Sequence, residues 1–199
     1  MRIASCPQGM PIKSHPRFDE IKKALQKLGK QGKPFAAVCY RCVEPQFADQ
    51  AVSGLGSLTY GARWTPKDSF PTVYLCETAE AALQEYLARS RRMKLPDHKS
   101  LPMMMLSIRV KVANLLDITD EEVALVVNPL LEMEKIHWRA IQDQREAVSQ
   151  AIGRAINEIG FSGLAAPSQA CPGHKNIAIF PENLSLKEIL STPNLKPMP

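Results

Sequence analysis

An α+β fold follows from three features of this 199-residue chain. Leu106, Ile108, Val110 and Val112 alternate with Ser107, Arg109 and Lys111, the period-two signature of a half-buried strand. Ala147, Val148, Ala151, Ile152, Ala155, Ile156 and Ile159 recur instead at helical spacing and make an apolar stripe. Further strands and helices surround these two in no regular βαβ order, which argues against a doubly wound parallel sheet.

Taken in order, residues 1–16 carry three prolines and a glycine and read as an irregular lead-in. Phe18, Ile21, Leu25 and Leu28 predict a helix from about Arg17 to Lys30, stopped by Gly29, Gly32 and Pro34. Phe35 to Val43 is apolar apart from Tyr40 and Arg41, a buried strand. Ala51 to Gly61, with Gly54, Gly56, Ser53 and Ser57, reads as a mobile loop. A second strand follows at 72–76. Thr78 is a natural N-cap for a helix reaching about Arg91, with Glu80 in the first turn where the dipole favours it. That helix is expected to bury Ala79, Ala82, Leu83, Tyr86 and Leu87.

Leu95 to Pro102 is a proline-bracketed linker before the alternating strand. Thr119 or Asp120 caps a short helix expected to end before Asn128-Pro129, and 130–144 are helical in composition but poorly patterned. Gly160 sits where a glycine cap ends the long apolar-striped helix. Two short strands, Phe161 to Pro167 and Asn176 to Phe180, complete the pattern. The domain reading is a lead-in and helix at 1–34, the main domain at 35–190 and a flexible tail at 191–199.

Hydrophobic content of 45% and charged content of 23% are those of a globular protein. No apolar run approaches the roughly 20 residues of a membrane helix. Met1-Arg2-Ile3-Ala4-Ser5-Cys6-Pro7 lacks the apolar core of a signal peptide, so a cytoplasmic protein is expected. Five scattered cysteines fit reduced thiols there. Cys39-Tyr40-Arg41-Cys42 has the redox or zinc spacing but lies on a strand and has no second pair. His15, His98, His137 and His174 form no metal-binding pair, so no metal is expected. The net charge of +5 sits in lysines 22–33 and in Arg89 to Lys94. With no nucleic-acid motif beside them, these read as solvated helix faces, and a basic surface also suits an anionic small molecule.

The chain has no P-loop, G-x-S-x-G elbow or G-x-G-x-x-G, and Gly54-Leu55-Gly56 is too short a match. Four other residues draw attention. Arg63 follows a glycine-rich stretch, and a planar guanidinium suits a pyrophosphate or carboxylate. It reads equally as a surface arginine stacked on Trp64 or paired with Asp68. Glu85 lies to the side of its helix's apolar arc, at a cleft edge or in an ordinary pair with Arg89. Tyr74 points to the opposite sheet face from Val73 and Leu75, either to stack on a flat ring or simply to fill core. Ser168 follows Pro167 at a strand end, where a hydroxyl contacts a ligand or forms a turn. Residue by residue, the structural reading is the better one.

Their arrangement is more specific. Tyr40-Arg41, Gly61-Ala62-Arg63-Trp64, Val73-Tyr74-Leu75 with Glu77, and Ala82-Leu83-Gln84-Glu85 resemble the RES domain family. Leu115 to Asp120, Gly160-Phe161-Ser162-Gly163-Leu164, Pro167-Ser168 and Asn176 to Pro181 continue the likeness, which runs from about 35 to 185. Arg63, Tyr74 and Glu85 are evenly spaced, eleven residues apart. Ala62 replaces a glycine of many members and Thr65 an asparagine or serine, departures that touch loop geometry.

The resemblance implies a fold similar to ADP-ribosyltransferases and an enzyme acting on NAD. It assigns catalytic roles to Arg63, Glu85 and Tyr74, and pocket roles to Arg41, Tyr40, Trp64 and Ser168. It further implies a toxin of a toxin–antitoxin pair, with a small Xre-like helix-turn-helix antitoxin as partner. The acceptor of the ADP-ribosyl group stays open between water, phosphate and a cellular protein. A basic binding module without catalysis is the alternative of another class.

Overall fold

The structure, a computed structural model, describes residues 12–192. Helix α1 (Phe18–Gln26) precedes strand β1 (Lys33–Val43), a short 3₁₀ turn at Pro45–Gln50 and helix α2 (Leu55–Tyr60). Strand β2 (Val73–Cys76), helix α3 (Ala79–Arg92) and the long strand β3 (Met104–Asp117) follow. Helices α4 (Glu121–Leu131), α5 (Trp138–Ile141) and α6 (Val148–Ile159) then lead into strands β4 (Gly163–Pro167), β5 (Lys175–Ile179) and β6 (Ile189–Ser191). The α+β class holds.

Ladder bonds run from β1 to β2, to β5, to β4, to β3 and back to β1, so five strands close a ring, with β6 added on β3. The β1–β3 ladder is the longest, and β3 pairs β4 in parallel where the other ladders between named strands are antiparallel. Closure between β1 and β2 rests on a single pair, Tyr40 opposite Cys76. Two cores occupy opposite faces, as period-two strands require. Val73, Leu75, Ile108, Val110, Ile177 and Ile179 share one. Leu116, Leu164, Ala178 and Phe180 meet Ile21 and Leu25 of α1, Val123 and Val127 of α4, and Ile152 and Ile156 of α6 in the other.

Most elements form for the local reasons the residues supply. The Thr78 hydroxyl accepts from the Ala81 N–H and caps α3, and the Asp120 carboxylate accepts from the Glu122 N–H and caps α4. Gly160, at φ 98°, closes α6 in the left-handed conformation. Five expectations are corrected. Strand β1 is not buried throughout: Cys39 and Val43 are buried, but the face opposite Cys39 is left uncovered at Ala36 and Val38, and Ala37 is exposed as well. The stretch 51–61 is not a free loop. Gly54, at φ 71°, turns the chain into α2, and the buried Ser57 hydroxyl lies 2.8 Å from both the Gly54 and Thr72 carbonyls, which share its one proton, while accepting from the Thr72 N–H. Helix α4 continues through Pro129, which falls in its last turn, because Leu130 beyond it is buried in the helical core. Helix α3 buries Ala81, Ala82 and Ser90 but leaves Ala79 exposed and Leu83, Tyr86 and Leu87 half-buried, since one flank borders a cleft. Ser191, expected in a flexible tail, belongs to β6 opposite Arg109, and 193–199 lie outside the described residues.

The segment before β1 shares the main core. Glu146, 2% exposed, accepts from the His15 backbone N–H at 2.9 Å and from Arg154 through two bonds of 2.7 Å. A buried carboxylate is tolerated where its lone pairs are filled in this way. No helix among the described residues is long and apolar enough to cross a membrane.

Candidate active site

A cleft of about 400 Å³ opens between α3, the turn before β2, the sheet and α5. Its floor carries Tyr74, Cys76, Asn176 and Ala178 from the adjacent strands β2 and β5. One wall is the α3 stripe Ala82, Glu85, Ala88 and Arg92, residues three or four apart that share a helix face. The small alanines leave room beside the carboxylate.

Glu85 is fixed by three donors on one oxygen. Its Oε1 accepts from the Asn176 Nδ2 amide at 2.6 Å, the Ser168 hydroxyl at 2.7 Å and the Ala170 N–H at 3.4 Å. Its Oε2 has no protein hydrogen bond among the described residues, which leaves one carboxylate oxygen for a ligand. Ser168 itself is 7% exposed, accepts from the Cys171 N–H and does not line the cleft. Its position makes it a holder of Glu85. The Cys76 thiol donates to Asn176 Oδ1 at 3.3 Å and so turns the amide's N–H₂ toward Glu85. Burial, followed by the charges of Glu85 and neighbouring cysteines, pushes that thiol up to about 12, so it stays a donor.

Arg63 stands at the tip of a four-residue turn closed by paired backbone bonds between Ala62 and Thr65. Its guanidinium lies 4.7 Å from the Trp64 ring centroid and donates to the Pro167 carbonyl at 3.3 Å. Pro167 precedes Ser168, so Arg63, Ser168 and Glu85 meet through one strand end. Burial lowers the Arg63 pKa, with Glu85 and then Tyr74 opposing. The Tyr74 hydroxyl accepts from the Trp64 N–H at 3.0 Å and lies 2.9 Å from Thr65 Oγ1. Thr65 donates in turn to Thr72, which makes Tyr74 the donor to Thr65. Its ring borders the cleft, while its hydroxyl holds the arginine turn. Burial above all pushes this phenol up to about 12, so it carries no charge at ordinary pH.

Arg41 and Tyr40 line the cleft from β1, and Arg41 donates to the Ala51 carbonyl at 3.0 Å. Trp64, 2% exposed, contributes only an edge. Sequence reasoning left out Arg92, Trp138, Arg139 and Asn176, all of which line the cleft. Arg92 belongs to a basic run that reads as solvated, though its seven-residue spacing from Glu85 was a usable signal. Trp138 and Arg139 lie in the unpatterned stretch. They sit on α5, capped by His137 Nδ1, with the Arg139 guanidinium 4.1 Å from the Trp138 centroid. Burial lowers the Arg139 pKa and Arg92 lowers it further.

The cleft thus holds four guanidiniums, Arg41, Arg63, Arg92 and Arg139, against one carboxylate. That imbalance suits a polyanionic ligand, and the oriented carboxylate suits a centre that turns cationic during reaction. Among the described residues no three of His, Cys, Asp and Glu gather as a metal site. Cys39 and Cys42 are free thiols, the first pushed up to about 11 by burial, with Glu77 adding to it.

The family model described as the RES domain matches residues 38–195. Among solved structures the chain is similar to one in the M. tuberculosis MbcT–MbcA toxin–antitoxin complex, with a TM-score of 0.63 over 86% of this chain and 91% of that one. At 19% identity, that likeness is one of fold. No curated protein matches.

Proposed function

The chain belongs to the RES domain family, and from that premise we propose that it is an NAD-consuming toxin that cleaves the nicotinamide–ribose bond. The observation that carries this reading is Glu85. One of its oxygens accepts from Asn176, Ser168 and Ala170 and the other is free of protein hydrogen bonds among the described residues, in a cleft whose other charged lining is the guanidiniums of Arg41, Arg63, Arg92 and Arg139.

Two linked phosphates need cations in planar, bidentate geometry, which Arg63 with Arg41 or Arg92 supplies. Breaking the bond sends its electron pair onto the nicotinamide nitrogen and leaves ribose C1′ as an oxocarbenium-like centre. Nicotinamide departs neutral, so no acid is required at the leaving group. Glu85 Oε2, fixed beside the ribose, stabilises the growing positive charge or binds its hydroxyls. Water adds at C1′ and releases a proton, giving ADP-ribose. Phosphate adding at the same carbon gives the phosphorylated sugar instead.

The test is nicotinamide release from NAD by purified protein, in water and in phosphate buffer. Release by the wild type and its loss in Arg63→Ala and Glu85→Ala are expected. Intact NAD in both buffers, with protein freed of any inhibitor, sinks the proposal. For the toxin reading, induction of the wild type is expected to arrest growth and Glu85→Ala to leave it unaffected. A small helix-turn-helix protein of the Xre type is the antitoxin expected to relieve the arrest.

One observation favours a second reading, transfer of ADP-ribose to a protein. The cleft continues past Arg41, Glu85, Tyr86 and Arg92 into a chamber of about 520 Å³ edged by Phe47 and Leu55, each 49% exposed, and by Tyr60. Labelled NAD in cell lysate separates the two, because label on a protein band requires transfer.

A further inference from the structure

Helix α6 does not line the cleft, yet it holds the turn that carries Arg63. Gln150, in its first turn, is 1% exposed. Its Nε2 amide donates to the Ala62 carbonyl at 3.1 Å and to the Thr65 carbonyl at 3.3 Å, while its Oε1 accepts from the Ala147 N–H at 3.0 Å. Both amide hydrogens are therefore used on the two residues that close the Arg63 turn. Gly153, one helical turn on, lets the α6 backbone meet the same segment. A Cβ there would fall inside the Trp64 carbonyl oxygen. From the opposite side the Tyr74 hydroxyl receives the Trp64 N–H.

The geometry points to Gln150 as a positioning residue for Arg63, acting through the turn and not on the ligand. The turn's own paired bonds fix its shape, and Tyr74 and Thr72 hold Trp64 and Thr65 to the sheet on one side. Gln150 ties both ends of the turn to a helix that is itself anchored by the buried Glu146–Arg154 pair. An arginine displaced by about 1 Å loses bidentate alignment, which costs on the order of 10²-fold in kcat/KM.

The experiment compares wild type with Gln150→Met, which keeps volume and removes both donors. Ala62 and Thr65 carbonyls retain each other's N–H, whereas the buried Ala147 N–H loses its acceptor, a loss of stability that the Val127→Ala comparator controls for. Should the methionine variant not fold, Gln150→Asn, with its amide withdrawn by one methylene, takes its place. Val127→Ala, in the helical core, supplies a comparator with lowered stability alone. Amide hydrogen exchange at Ala62 and Thr65 is expected to rise in the Gln150 variant and not in Val127→Ala. This arm needs no activity, and unchanged exchange there overturns the inference. The activity arm rests on the NAD-cleavage reading. There kcat/KM is expected to fall on the order of 10²-fold, chiefly through KM, while Val127→Ala keeps both constants per folded molecule. Wild-type kinetics in a folded Gln150 variant also overturns the inference. A wild type that leaves NAD intact counts against the function instead, and the exchange arm then decides alone.

Discussion

At the scale of single residues, position in the site and contact with a ligand are different properties. Arg63 and Glu85 present free polar atoms to the cleft, whereas Ser168 and Tyr74 work behind them. The Tyr74 hydroxyl receives a part-buried N–H and heads the chain through Thr65 to Thr72. Tyr74→Phe keeps the ring and removes that acceptor, so the Trp64 N–H loses its partner. A loss of ~1–3 kcal/mol is expected by denaturant unfolding, together with weaker nicotinamide release in the assay that tests the proposed NAD cleavage. An equally stable Tyr74→Phe would show that water replaces the phenol. Asn176 has a parallel role, since its amide is oriented by a thiol on one side and orients a carboxylate on the other.

At the scale of elements, α1 and α6 act together. Helix α1 lies outside the matched family segment but buries Ile21 and Leu25, with Leu28 in the turn after it, against α4 and α6. Its apolar positions were legible from their spacing, but their partner was not, because periodicity gives a face and no address. Leu25→Ala opens a cavity at a fully buried site, for which a loss of ~2–5 kcal/mol is expected. The check is a lowered urea midpoint with an unchanged slope. A loss below ~1 kcal/mol would mean that α1 repacks around the gap.

At the scale of the whole molecule, the C-terminal segment is tied to the ring by the β6–β3 ladder and by one carboxylate. Glu188 accepts from the Ala113 N–H at 2.8 Å, the Ser162 hydroxyl at 2.7 Å and the Ser185 N–H at 2.7 Å. Burial opposes its ionisation, but these hydrogen bonds outweigh it and hold the pKa at about 2, below the ordinary 4.5. A carboxyl depressed on folding adds stability above its unfolded pKa and loses it as pH falls through the folded one. Stability is therefore expected to drop between about pH 4.5 and 2, and Glu188→Gln to flatten that part of the curve. An identical pH dependence in the variant would remove Glu188 as its source.

The sequence by itself determined most of the elements, though not α2, α5 or β6, and the order of the site's polar residues. Alternation placed β3, helical spacing placed α1 and α6, and Thr78, Asp120 and Gly160 marked ends, because each rests on contacts within a few residues. The motif order also put Arg63, Tyr74, Glu85 and Ser168 into one family pattern. Only the tertiary structure decided what each does there. It turned Ser168 toward Glu85 and the Tyr74 hydroxyl toward Trp64, and it brought Arg92, Arg139 and Asn176 to the cleft. It also set Gln150 and Gly153 of α6 against the Arg63 turn, nearly ninety residues away in the chain. Such contacts join elements whose mutual placement follows from ring closure and core packing, and no local pattern of residues encodes that placement.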